Sequence, residues 1–268
     1  MTGVAMGSAA TATTRHRGAG RPWWLVERHL LVYRRSWSVF VADVTEPLLY
    51  LIAIGLGIGS LVGEVAGTGV PYARYLAPAL LATSAMNSAM NEASQRVFMR
   101  IKLEKTYQTM ITTPMTVRDI QFGEVSWAVL RGLATTAGFL VAATAMGLVR
   151  SPFALLAIPA AALVGFAFAA CGLLVATLLR SWYDYLYLQL FMLPMFLFAT
   201  TFFPLDRFPD AVRPVVQALP LYHAVTLLRQ VCLGRIDQHA ALSAGYLLLL
   251  GLAACALAAG RWRRMLQS

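Results

Sequence analysis

The residues able to do chemistry in this 268-residue chain are few, and their spacing excludes most reactions. A phosphate-binding loop sets a lysine after glycine and before serine or threonine, so that its ammonium meets phosphate oxygens. The chain has two lysines: Lys102 follows Ile101 and Lys105 follows Glu104. Neither forms such a loop, so this chain does not hydrolyse ATP alone. The histidines His16, His29, His223 and His239 make no His-Glu-x-x-His helix and no close metal-ligand pair. Gly57-Ile58-Gly59-Ser60 is followed by Leu61, which breaks the Gly-x-Ser-x-Gly elbow of serine hydrolases. Cys171, Cys232 and Cys255 stand apart without a Cys-x-x-Cys and read as apolar filling.

What remains is a set of acids and arginines beside apolar runs. Glu92 and Arg96, spaced i,i+4, can pair on a helix. Glu124 and Arg131, spaced i,i+7, lie on nearly one face. Glu46 precedes Pro47, and Asp184 opens a later apolar run. Charge near hydrocarbon is costly unless it is paired, snorkels to the interface, or faces a protein interior. Local pairing and snorkelling account for most of these groups. Arg131 is the deepest charge and the candidate for a side chain facing the inside of a bundle.

The elements that must hold these groups follow from composition. Hydrophobic residues make up 59% of the chain and charged residues 13%, with mean hydropathy +0.64. A soluble domain carries roughly 25% charged residues. The expected fold is an all-α polytopic membrane protein, because a bilayer core needs about 20 helical residues per span. Six spans are expected, at about 44–63, 74–96, 123–149, 152–179, 184–203 and 240–260, with Pro159 a candidate kink in the fourth. Fifteen Lys and Arg residues fall in the N-terminal segment, the alternate loops and the C-terminal end, against six on the opposite side. That bias puts both termini in the cytoplasm. The net charge of +10 then reflects inner loops facing anionic lipid rather than nucleic acid. Residues 1–21 have no apolar core of a secretory signal and read as a disordered cytoplasmic tail, with 265–268 a short C-terminal tail.

Three polar pieces lie between the spans. Over 22–41, Trp23, Val26, Leu30, Tyr33 and Trp37 recur at steps of three and four, with Arg28 and Arg35 opposite. This is the pattern of an amphipathic helix in the headgroup plane; a helix packed on a soluble partner is the alternative. The inner loop 97–122 holds a short helix from about Leu103 to Ile111, ended by Pro114, as either a solvated connector or a docking element. The outer segment 204–235 has two apolar faces of about 10–14 residues, divided at Pro220. Each is too short to span, so a re-entrant or interfacial helical hairpin is expected, with Arg213 and Arg229 at headgroup level.

These pieces together resemble the membrane subunits of type 2 ABC exporters. The inner loop is similar to that family's coupling-helix region, from Glu104-Lys105 through Thr113-Pro114-Met115-Thr116 to Gly123-Glu124. The outer match runs through Phe203-Pro204-Leu205, Phe208-Pro209, Leu219-Pro220-Leu221-Tyr222-His223 and Arg229. Asp43 to Tyr50, Gly55–Gly59 and Pro71–Pro78 look nearest to nodulation-type lipo-oligosaccharide exporter permeases, a pattern shared with daunorubicin-type drug-export permeases.

The resemblance implies a non-catalytic permease that binds no cofactor itself, with ATP and Mg on a separate nucleotide-binding subunit. Two permease chains would assemble with two ATPases. Leu103, Glu104, Tyr107, Met110, Thr113 and Pro114 would carry the ATPase coupling, and the helix at 22–41 a second contact. Pro204, Pro209, Pro220, His223 and Arg229 would shape the outer hairpin. The cargo would be an amphiphile, either a lipid-linked saccharide or a hydrophobic drug, with Phe191, Phe196 and Phe198 as candidate path residues or as ordinary packing. An ion-coupled secondary transporter would want acids at midplane, whereas most acids here sit at inner span ends. A non-transporting membrane scaffold is the other alternative.

Overall fold

A computed structural model describes residues 21–35, 37–65, 69–102, 104, 116–149 and 155–267. The described residues are mostly helical. Helix α1 (Arg21–Arg35) lies against the long helix α6 (Val117–Ala145) and buries Leu25, Val26 and His29 there. Trp23 and Leu30 are on its uncovered side. The side chains of Tyr33 and Trp37 lie outside the description.

Helix α2 (Trp37–Tyr50) continues through a π-helical stretch, Leu51–Leu56, into α3 (Gly57–Val62). Pro47 has no N–H for the i−4 carbonyl and crowds it, and the wider turn begins four residues later. A two-residue antiparallel ladder, β1 (Glu64–Val65) with β2 (Val70–Pro71), then reverses the chain. The sequence pattern carried no sign of it.

The chain turns into α4 (Tyr72–Asn91), a π-helical turn Glu92–Arg96, and α5 (Val97–Lys102). Helix α4 is buried on nearly every side. Helix α6 starts from a capping box: the Thr116 hydroxyl accepts from the Asp119 N–H, and the Asp119 carboxylate accepts from the Thr116 N–H. Helix α7 (Ala157–Ala176) is the core helix, packed on α4, α6 and α11 (Gln238–Gln267). Its Ala and Gly residues let neighbouring backbones approach. A Cβ on Gly172 would sit 3.0 Å from the Met90 carbonyl oxygen, and one on Gly251 of α11 would sit 2.5 Å from Phe166 Cε1. Pro159 does not kink α7. It lies in the first turn, where a helix has no acceptor for its N–H.

Helix α8 (Trp182–Phe198) is preceded by Ser181, and Asp184 accepts from the N–H groups of Arg180 and Ser181. Asp184 is thus a helix-terminal partner. Helices α9 (Arg213–Ala218) and α10 (Pro220–Leu233) follow, with Pro220 as first-turn proline of α10 and Gly234, at φ +69°, as its left-handed cap. Residues 265–267, expected as tail, extend α11.

Four helices among the described residues are long and apolar enough to cross a membrane: Phe40–Val62, Val117–Ala145, Ala157–Ala176 and Gln238–Trp262. The other two expected spans correspond to α4 and α8. Helix α4 has the length, but Thr83, Ser84, Asn87, Ser88 and Asn91 lower its hydropathy. Helix α8 has 17 residues, short of the ~20 a straight span needs.

Candidate functional site

A cavity of about 520 Å³ opens between α2, α4, α6 and α8. One wall is polar. It is built by Thr83, Ser84, Asn87, Ser88 and Asn91, which recur on one face of α4 at steps of one, three and four. Asp43 and Glu46 of α2, Arg131 of α6 and Gln189 of α8 complete that wall. The other wall is apolar: Pro47, Tyr50, Leu80, Met192, Leu193 and Phe196. Tyr50 and Phe196 face each other with ring centroids 6.5 Å apart. Tyr185 Oη donates to Asn91 Oδ1 at 2.8 Å, and Gln189 donates to Tyr185 Oη at 2.5 Å, so the amides are held in place. Ser88 Oγ is buried at the wall without a hydrogen-bond partner among the described residues. A buried hydroxyl left unmatched costs free energy unless something bonds it. The lining suits a molecule with a hydroxyl- or amide-rich head and an apolar tail.

The polar wall is continuous with a buried set of ion pairs. Arg131, 5% exposed, donates to Glu92 at 2.5 Å and to Asp43. Glu92, 1% exposed, also meets Arg96 at 3.2 Å and Arg100 at 3.5 Å, and accepts from Trp127 Nε1 at 3.0 Å. Arg100 donates to Glu124 at 2.6 Å. His29 of α1 closes the set, with Nε2 3.6 Å from Glu124 and its ring stacked on Trp127 at 5.4 Å. Its Nδ1–H donates to the Leu25 carbonyl oxygen at 2.6 Å. Burial pushes the His29 pKa below its ordinary value; Glu124 opposes that shift and Arg100 adds to it. The i,i+4 pair Glu92–Arg96 was expected and forms. Glu124 and Arg131, placed on nearly one face by their spacing, take partners from other helices: Arg131 turns to α2 and to Glu92, and Glu124 takes Arg100.

Comparison with known proteins identifies the scaffold that carries this site. Residues 22–233 match the model of the ABC-2 type transporter family. The chain belongs to the ABC-2 type transporter family. It is similar to nodulation protein J of Sinorhizobium fredii, 35% identical over 254 residues, covering 92% of this chain and 95% of that protein. Nodulation protein J of Bradyrhizobium diazoefficiens is 36% identical over 82% of this chain and 84% of its own length. That of Rhizobium meliloti is 31% identical, over 82% and 84%. The chain is a multi-pass membrane protein and a membrane transport component.

In this ABC-2 type transporter the expected site residues fall in several places. Leu103, Tyr107, Met110, Thr113 and Pro114 lie outside the described residues, and Glu104 is exposed. Phe196 lines the cavity, whereas Phe191 and Phe198 are exposed and outside its lining. Pro204 precedes a 3₁₀ turn, Leu205–Arg207, and the Arg213 side chain donates to the Asp206 and Phe208 carbonyl oxygens. His223 stacks on Tyr246 at 4.0 Å, with Nδ1 3.2 Å from Ser243 Oγ. Arg229 lies 3.8 Å over the Tyr75 ring and donates to the Thr200 carbonyl oxygen at 2.8 Å. The α4 polar face escaped the sequence reading. Its signal was there, in small polar residues repeating with helical period inside an apolar run.

Proposed function

We propose that this chain is the permease subunit of an ATP-driven exporter. It moves an amphiphile of the lipo-oligosaccharide type out across the bacterial cytoplasmic membrane. The observation that carries the cargo reading is the cavity with one hydroxyl- and amide-rich wall and one aromatic and aliphatic wall. Sugar hydroxyls and amides exchange hydrogen bonds with such a wall, and an acyl chain fills the other. The nodulation protein J relatives, matched over 84–95% of their own length, support the same assignment.

The working assembly has two permease chains and two nucleotide-binding chains, which supply ATP and Mg. Each permease crosses the membrane six times, with α4 and α8 as the second and fifth spans and both termini in the cytoplasm. The segment 204–235 is a re-entrant hairpin on the outer side. The exposed apolar faces of α2, the π-helical stretch, α3 and α8, including Leu49, Ile52, Leu61, Leu186, Leu190 and Phe191, suit lipid and the second copy. The loop Leu103–Pro114 docks the ATPase.

The test is co-expression with a nucleotide-binding chain encoded beside it, followed by reconstitution into lipid vesicles. ATP-dependent movement of a chain-labelled acyl-oligosaccharide is expected only with both chains. Tyr107→Ala or Met110→Ala should separate ATP hydrolysis from movement. A permease that binds no ATPase chain, or a proton gradient that drives movement without ATP, would overturn the reading.

A further inference from the structure

The cavity orders its polar and apolar groups along the helices as well as around them. On α2 the lining begins with Asp43 and Glu46 and continues through Pro47 to Tyr50. On α8 it begins with Gln189 and ends with Phe196. The apolar ends coincide, because Tyr50 and Phe196 face each other at 6.5 Å. Positions 43, 46, 47 and 50 share one face of a helix, so the acids and the aromatic of α2 open into the same space. A polar head and an apolar tail therefore have separate places in it.

The charges at the polar end are unequal. Asp43, Glu46 and Arg131 line the cavity, two acids against one base. Arg131 already meets Asp43 and Glu92. The ion pairs among the described residues take Asp43, Glu92, Glu124 and Asp210 as acids, and Glu46 is in none of them. Glu46 is exposed, on a stretch long and apolar enough to cross a membrane, Phe40–Val62. An acid on such a stretch is costly against lipid, and here it faces the cavity.

A second observation points to a ligand that carries hydroxyl groups. Ser88 of α4 is 7% exposed and lines the same cavity, and its Oγ has no hydrogen-bond partner among the described residues. Thr83, earlier on that face, turns its hydroxyl back to the Ala79 carbonyl oxygen at 2.9 Å. Ser88 makes no such bond. A hydroxyl both donates and accepts, whereas an ionised carboxylate only accepts. A saccharide head can therefore satisfy Ser88 and Glu46 together. An anionic head could bond Ser88 but would bring like charge beside Glu46.

We propose that Glu46 selects the cargo by the charge of its head: its carboxylate accepts from the hydroxyl groups of an uncharged saccharide and repels anionic heads, those of the membrane's own lipids included. The proposal rests on the permease reading above and narrows its cargo class. Two like charges about 10 Å apart, at an effective dielectric of about 20, repel enough for roughly tenfold discrimination.

The experiment uses the reconstituted complex of permease and ATPase chains, with two chain-labelled acyl-oligosaccharides as probes. They differ in one saccharide group, a hydroxymethyl in the neutral probe and a carboxylate in the anionic one. ATP-dependent movement of each is measured for wild type, Glu46→Gln, Glu46→Asp and Ser88→Ala. Wild type is expected to move the neutral probe about tenfold faster. Glu46→Gln should slow the neutral probe and speed the anionic one, bringing their ratio near one. A gain for one probe is not what a loss of folding produces. Glu46→Asp should keep most of the ratio, and Ser88→Ala should slow both probes alike. Glu46→Ala stands in if Glu46→Gln does not reach the membrane. A wild-type ratio near one overturns the proposal whether or not the variants fold. So does a Glu46→Gln ratio as high as that of wild type, or a Ser88→Ala ratio that falls as far as that of Glu46→Gln. Absence of ATP-dependent movement of both probes in the wild-type complex would instead overturn the permease reading, and this proposal with it.

Discussion

Replacing Arg131 by methionine should destabilise the folded permease by about 3 kcal/mol. Arg131 is in charged contact with Asp43 and with Glu92. Unit charges about 4 Å apart attract by roughly 4 kcal/mol at an effective dielectric of about 20, and burying the guanidinium offsets much of that sum. Removing one partner of a buried pair typically costs about 3–5 kcal/mol, because a charge is left behind. Two features put this site at the low end. Glu92 keeps Arg96, Arg100 and Trp127 as partners, and Asp43 is exposed enough to be hydrated. Methionine retains the apolar stem, so the loss reports charge rather than volume. At about 2–4 °C per kcal/mol for a chain of this size, the melting temperature should fall by about 6–12 °C. The assay is tryptophan fluorescence of the purified protein in lipid nanodiscs, heated at a fixed scan rate. The double variant Asp43→Asn, Arg131→Met should recover part of the loss, because Asp43 then carries no charge without its partner, while Glu92 keeps Arg96 and Arg100. A single Arg131→Met variant melting within about 2 °C of wild type would refute the reasoning that these pairs are desolvated.

Gly172→Ala should lower the melting temperature. Its Cβ would stand 3.0 Å from both the Met90 carbonyl oxygen and Ala93 Cβ, and overpacking of about 1–3 kcal/mol outweighs the roughly 1 kcal/mol helix gain of alanine. Gly57→Ala, with nothing within 4 Å, is the control that should not melt lower; a Gly172→Ala protein as stable as that control would sink the close-packing argument. His29 makes stability fall in mild acid. Its folded pKa is depressed below the ordinary 6.5, so the unfolded chain takes up the proton first, and stability held above that value is lost as pH falls through the folded pKa. Melting followed from pH 7.5 down to pH 5 should show His29→Gln with a shallower decline than wild type; parallel curves would contradict it.

Much of the fold was legible because apolar runs and charge placement are local properties. The span beginning near Asp43, the third and fourth spans and the last one are visible as long apolar stretches. The expected second and fifth spans, at α4 and α8, do not meet that measure, since α4 is polar along one face and α8 is short. The Glu92–Arg96 pair was readable from i,i+4 spacing. The partners of Glu124 and Arg131 were not readable, because helix packing brings them from other segments. Arg131 meets Asp43 across 88 positions of sequence and Glu92 across 39. Along α1 the apolar stripe divides: Val26 is buried on α6 while Trp23 and Leu30 stay uncovered, and His29, on the far edge of the stripe, is the residue that enters the ion pairs.

The sequence by itself determined that this is a helical membrane protein and that its two lysines form no phosphate-binding loop. Those properties follow from composition and short-range spacing, which no packing arrangement can alter. Only the tertiary structure decided which polar residues act together. The α4 face, Phe196 and Tyr50 become one amphipathic cavity, and charges from four separate segments become one linked set of ion pairs. The reason is physical: desolvated charges and buried hydroxyls take whichever partners the packing of α2, α4, α6 and α8 brings within bonding distance, and that proximity is not written in the spacing along the chain.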